Sequence, residues 1–420
     1  TLFKTLAITF SSMAVFTGTP LYGTSLLYAG PASMIWGWLV VTFFTWFVGI
    51  AMAEICSSFP TTGSLYFWAA YLAGPRCGPF ASWCCAWLKT IGVISGNGAQ
   101  AYSGSQALQI IILLSTGTNK GGGYFAVLNT FALEVIAFLD IISIWWQLSF
   151  IWNFKAVSLI LRVIGGLVVI IMLPLVARPT QPASYVFTHF ETSPYNYCLY
   201  GYDAAAHLTE ETKGADRTGP IAILSSIGII SVFGWTYNLA LTFSIKLYIH
   251  AFLAGLWSLC FTKRQWNPIF TCVEKNTPQI QGSQKCGVAL YSHRHYSWTT
   301  ILKLDVIFTA IISISTIGWV GGYAVSILAR LLMDQKNFKP GPLYLGRARR
   351  PICLVAFLWI CYTCSAFLLP TIYPIRWKTF NYAPVAPGVC LSLIMLWWVL
   401  DARKWFKGLV RNIDGQHGDT

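Results

Sequence analysis

At 420 residues, 55% hydrophobic and only 10% charged, the chain falls far below the roughly one-quarter charged content of a soluble domain, which excludes a soluble enzyme or binding module. The net charge of +14 would suggest nucleic acid in a soluble protein. Here the basic residues fall in loops and tails, as expected of a polytopic membrane protein, so nucleic acid is excluded as a partner.

The chain has no charged residue from Thr5 to Ala53, which is enough for about two crossings at roughly 20 residues each. The first predicted span, Thr5 to Ala29, is interrupted by Thr17-Gly18-Thr19-Pro20, which breaks the helical hydrogen-bond ladder. Such backbone is tolerated at membrane depth where protein or a water-lined cavity satisfies it; a simple proline kink is the alternative. A second span, Ala32 to Ala53, ends at Glu54. The aromatic stretch Leu65 to Leu72 suits an interfacial helix. Gly78 to Ser115 reads as a long third span with Lys89 and a weak centre, Ser95-Gly96-Asn97-Gly98. Tyr124 to Trp146 and Ala156 to Ala177 give a fourth and a fifth, followed by a proline- and threonine-rich loop, Arg178 to Pro194.

The stretch Gly201 to Pro220, GYDAAAHLTEETKGADRTGP, lies between apolar segments. A helix would place Asp203 and His207 one turn apart on one face, with Glu210 and Glu211 a turn further. Ionisable groups at a membrane segment are costly and point to function. Pro220 opens a span to about Ile245. Leu247 to Phe261 is short for a crossing, and 263–300 is a polar, basic stretch where a span would otherwise fall. Val306 to Ala329, Pro351 to Pro374 and Ala383 to Leu400 are the remaining spans. Between the first two of these, Arg330 to Arg350 carries Arg330, Lys336, Lys339, Arg347, Arg349 and Arg350 against Asp334, a strong cytoplasmic marker. The basic tail, 403–420, is placed on the same side. Parity then puts the Arg178 loop outside and requires one more crossing, by the central stretch or by Leu247 to Phe261; the central stretch is preferred because it places Glu210, Glu211 and Lys213 at the cytoplasmic surface.

The twelve cysteines lie mostly in apolar runs, where cysteine acts as a small hydrophobe. Cys361-x-x-Cys364 has no second ligand pair for zinc. His207-x-x-Glu210-Glu211 lacks the second histidine that metal-binding helix motifs need. No metal, cofactor or catalytic residue is predicted, and a metal-dependent membrane enzyme stays as a remote alternative.

Several strings resemble plant bidirectional amino-acid transporters, also described as GABA permeases, of the amino acid–polyamine–organocation superfamily. They include GPASMIWGW, GIAMAEICSSFPTTGSLYFWAAYLAGPR, LQIIILLSTGTNKGGGY, VFTHF, GYDAAAHLTEETKGADRTGPI, SISTIG, PGPLYLG and NYAPVA with DARKWF, spread from end to end. The resemblance implies an all-α leucine-transporter-like fold: two inverted repeats of five spans, then two more, as one permease domain over 1–402. Such folds bind substrate at breaks in the first and sixth spans. It places these breaks at Thr17, Gly18 and Thr19 and at Gly201, Tyr202 and Asp203. Unpaired N–H groups there can receive a carboxylate, and carbonyls an ammonium. It makes Glu210 and Glu211 gate or structural residues. The implied partners are a small-molecule amino-acid substrate, with a coupling ion left open, and the lipid bilayer; plasma and organelle membranes both fit. The apolar runs supply about ten of twelve spans, so a non-transporting remnant of the same fold is the alternative to a secondary-active permease.

Overall fold

The computed structural model describes residues 5–6, 9, 19–61, 63–116, 151–177, 180–190, 214–244, 298–332, 338–369 and 384–406. All regular structure among them is helical. The first long helix, α1 (Thr19–Ser58), bends at Gly30, with φ 76° and ψ 168°. Side chains rarely adopt that conformation, and Pro31 further disfavours a helical residue before it. The bend therefore falls at the predicted boundary between the first two spans, with no loop between them. It leaves the Ala32 N–H without a partner in its own helix, and that group donates to the His189 carbonyl at 3.1 Å.

Helix α2 (Ser64–Thr116) uses the same device at Gly74-Pro75, with φ 76° and ψ 178° at Gly74. A Cβ on Gly74 would meet nothing within 4 Å, so glycine is required there by backbone conformation rather than by crowding. Before this break the segment expected at the interface is enclosed by protein. Leu65, Phe67, Trp68 and Leu72 belong to the main core, and Trp68 Nε1 donates to the Phe59 carbonyl at 2.8 Å. Its aromatics anchor protein to protein instead of protein to headgroups.

After the break α2 runs unbroken through Ser95-Gly96-Asn97-Gly98. The small residues near this centre bring it against α6 (Trp298–Leu332). A Cβ on Gly318 would come within 2.5 Å of the Gly92 nitrogen, and Ser315 Oγ donates to the Gly92 carbonyl at 3.0 Å. In lipid, where apolar burial between helices gains little, such close approach supplies the packing energy. Lys89 on the same face places Nζ 3.3 Å from the Trp319 ring centroid, a cation–π contact that offsets part of its desolvation.

Helix α3 (Ile151–Val176) packs on α5 (Ala215–Phe243), and α5 packs on α1. Helix α5 starts at Ala215, ahead of Pro220, because Arg217 and Thr218 already donate to the Gly214 carbonyl and Asp216 suits the positive end of the helix. The Arg178 loop contains a short helix, α4 (Ala183–Thr188), lying on α1. Helix α6 begins at Trp298, inside the last residues of the expected polar insert. Helix α7 (Arg349–Leu368) touches both α1 and α6 and ends where Leu369 turns extended before Pro370. Helix α8 (Val385–Trp397) rests on α2 through Trp83, whose Nε1 donates to the Ile394 carbonyl at 3.4 Å.

The outward faces are apolar. Leu354, Leu358 and Tyr362 on α7, and Val389, Leu393 and Leu396 on α8, are exposed at helical spacing. Five helices among the described residues are long and apolar enough to cross a membrane: Ala29–Ser58, Ala215–Phe243, Phe308–Leu332, Gly346–Leu368 and Val385–Trp405. The spans expected at Tyr124–Trp146 and in the central stretch, and the short run Leu247–Phe261, lie outside the described residues.

Two substitutions separate conformation from crowding. Gly74→Ala should cost about 1–3 kcal/mol from backbone strain alone. Gly318→Val should cost more, because it drives side-chain atoms into the α2 backbone. Thermal unfolding in detergent measures both; equal midpoints for Gly74→Ala and the parent protein would contradict the role of the positive φ.

Candidate functional site

Thr19 is the first residue of α1, and Pro20 stands in its first turn, where a missing N–H costs little. Thr17 and Gly18 lie outside the described residues, as do Gly201, Tyr202, Asp203, His207, Glu210 and Glu211. The described part of α1 has two polar ends.

At one end, just beyond the predicted first break, Tyr22 is buried and its hydroxyl bonds Thr242 Oγ1 at 2.6 Å. This ties the start of α1 to the end of α5. Leu26, Met34, Tyr237 and Leu241 close around it. The α4 segment lies over the same end: Trp36 Nε1 donates to the Phe187 carbonyl at 3.1 Å, and Gln181 N to the Phe243 carbonyl at 2.9 Å. With the His189 carbonyl on Ala32 N, the bend at Gly30 is held from outside its own helix.

The other end is about 33 Å away along α1, taking 1.5 Å per residue from Ala32 to Glu54. Glu54 and Arg330 are both 0% exposed and form a two-pronged ion pair: Nη2 donates to Oε1 at 3.1 Å and Nε to Oε2 at 3.3 Å. The Leu345 N–H adds a third bond to Glu54 Oε1 at 3.3 Å. The Phe338 ring lies 3.3 Å from the Arg330 guanidinium carbon, and Arg349 Nη1 donates to the Arg330 carbonyl at 3.2 Å. A turn further along α1, Ser57 Oγ accepts from Leu343 N at 3.0 Å and Ser58 Oγ from Gly341 N at 3.2 Å. The strap 341–345 approaches so closely that a Cβ on Gly341 would collide with the Ser57 carbonyl. Burial on this scale is stable only when the charges are paired and hydrogen-bonded, which these are in large part.

These residues correct the sequence reading. Arg330 and Arg349 are expected as basic-loop markers of the cytoplasmic side; both are buried, at the meeting of α6 and α7. Glu54 was expected only as the end of a span. The signal that could have found the pair is an acid at the end of one apolar run and a base at the end of another, in a chain with so few charges. Among the described residues no group of three or more His, Cys, Asp or Glu side chains could hold a metal ion.

An all-helical body with apolar outer faces and ionic groups buried at helix ends is a polytopic membrane protein. The family described as amino acid permease matches residues 1–273. An amino-acid permease BAT1 homolog of Oryza sativa subsp. japonica is 36% identical over 481 aligned positions, covering 97% of this chain and 92% of that protein. The amino-acid permease BAT1 of Arabidopsis thaliana is 33% identical over 494 positions, covering 98% and 93%. An uncharacterised amino-acid permease of Schizosaccharomyces pombe is 26% identical, covering 99% and 87%. The chain belongs to the amino acid permease family, and is a transporter rather than an enzyme. The two plant alignments run over more positions than the chain has residues, so each relative carries stretches that this chain lacks.

Breaking the ion pair from one side leaves a buried charge uncompensated. Arg330→Met should lower stability by about 3–5 kcal/mol, and Glu54→Leu combined with Arg330→Met should recover the larger part. Detergent melting curves decide it: a double variant no more stable than the single one would contradict the charge-pair account.

Proposed function

We propose that the chain is a secondary-active permease for amino acids or GABA-like zwitterions, with the substrate held between Thr17-Gly18-Thr19 and Gly201-Tyr202-Asp203. The observation that carries this reading is similarity to amino-acid permeases over nearly the whole chain. The physical reason is that a zwitterion presents a carboxylate and an ammonium. Broken helices offer N–H groups to the one and carbonyls to the other at membrane depth, where competing water is scarce. The pinning of Tyr22 to Thr242 and of Ala32 to His189 supports it, since a broken span needs neighbours that fix its pieces. Glu210 and Glu211 act as gate or structural residues, and a leucine-transporter-like inverted repeat is the frame. The ends marked by the Arg178 loop and by the Arg330 strap belong to opposite membrane faces, the strap and the tail being cytoplasmic.

A second reading, a non-transporting remnant of the same fold, draws support from the stretches that the plant relatives carry and this chain lacks. Radiolabelled amino-acid flux into proteoliposomes separates the two. The permease reading expects saturable uptake that other zwitterions compete away, and its loss in Gly18→Leu at unchanged expression. Uptake no greater than in empty liposomes supports the remnant, and full uptake by Gly18→Leu removes the site from Thr17-Gly18-Thr19. Cysteines introduced into 342–348 or after Asp401 should resist an impermeant reagent applied to intact cells; labelling there would reverse the orientation.

A further inference from the structure

We propose that the Glu54–Arg330 pair, with the strap 341–345, is a latch of the transport cycle: it closes its end of the molecule and must open for substrate to pass there. This rests on the permease reading above. The latch joins elements that otherwise belong to different packed pairs. Helix α1 packs mainly on α5, and α6 mainly on α2; α7 starts at Arg349 and touches both α1 and α6. At the latch, the last turns of α1 and α6 meet through charge rather than through the small-residue contact that locks α2 to α6.

The bonding pattern suits opening. The strap is held to Ser57, Ser58 and Glu54 by single backbone N–H donors at 3.0–3.3 Å, groups that water can satisfy once released. Arg330 Nη1 is buried with no hydrogen-bond acceptor among the described residues, so the closed state is incompletely satisfied. Two guanidiniums, Arg330 and Arg349, share the site with the carboxylate of Glu54, and opening hydrates all three. A permanent weld would be expected to satisfy every donor; a latch needs two states of similar free energy.

The chain carries its own reporters. Cys56, two residues beyond Glu54 on α1, and Cys353, four residues beyond Arg349 on α7, are both 0% exposed. Cys85, also 0% exposed, lies between α2 and α6, with Sγ 3.5 Å from the Gly322 carbonyl. The full chain in liposomes is treated with N-ethylmaleimide, and each cysteine is followed by peptide mass spectrometry. Arg330→Lys, which keeps the charge and loses the two-pronged fork, should raise Cys56 and Cys353 alkylation about tenfold or more while Cys85 stays at the parent rate. Exchanging the charges, Glu54→Arg with Arg330→Glu, should bring Cys56 back towards the parent rate. In flux measurements Arg330→Lys should raise the external KM more than it lowers the maximal rate, because outward-facing molecules become scarce.

An unchanged Cys56 rate in folded Arg330→Lys overturns the latch. So does a joint rise of Cys56 and Cys85, which marks loss of the fold instead of opening. If the parent chain shows no flux while Cys56 and Cys353 respond selectively, the permease reading fails and the opening of this end stands.

Discussion

The structure depends on placing one carboxylate and two guanidiniums at a helix end without leaving a charge unsolvated. Glu54 ends a stretch of α1 that has no other charge, so it has no partner on its own helix. The partner comes from Arg330, 276 residues away in sequence, and brings α6 with it. Once the two meet, the strap 341–345 has to fold across them, because the remaining lone pairs of Glu54 and the hydroxyls of Ser57 and Ser58 need donors. Glycine at 341 permits the contact and Phe338 covers the guanidinium. The start of α7 is fixed as a consequence, since Arg349 bonds the Arg330 carbonyl.

The opposite end of α1 works with weaker interactions. The bend at Gly30-Pro31 frees a backbone donor, and the α4 segment supplies the acceptor. The Tyr22–Thr242 bond joins the outer piece of α1 to α5. Helix α1 is held by neutral hydrogen bonds at its Tyr22 end and by a buried ion pair at its Glu54 end. The proposed substrate contacts at Thr17, Gly18 and Thr19 precede the Tyr22 end in sequence.

Much of the fold was legible in the sequence because lipid imposes a strong pattern. Apolar runs marked the existence of α1, α5, α6, α7 and α8, with ends that differ by up to eight residues at the start of α6. The boundary expected between Ala29 and Ala32 falls at the bend at Gly30. The misreadings share a cause. Leu65 to Leu72 carries the aromatic composition of an interface, yet it is buried against protein, and composition does not say which surface an aromatic meets. Ser95 to Gly98 looked like a weak centre because small residues lower hydropathy; in the structure their neighbourhood is where α2 and α6 come closest. Arg330 and Arg349 count by charge alone in the sequence; the three-dimensional contacts of Arg330 with Glu54 and of Arg349 with the Arg330 carbonyl make them core residues. Of the candidate substrate residues, only Thr19 falls on a described element, and the rest of that assignment stands on the family resemblance, the string GYDAAAHLTEET among its carriers.

The most direct test of the proposed site reads the backbone amides that are said to hold the substrate. Hydrogen–deuterium exchange of the reconstituted chain, with and without a mixture of amino acids and GABA, follows every peptide at once. The account predicts slowed exchange in peptides spanning Thr17 to Thr19 and Gly201 to Asp203 together, with peptides in the middle of α7 and α8 unchanged. Exchange that stays the same at both breaks, or slows only elsewhere, would contradict it.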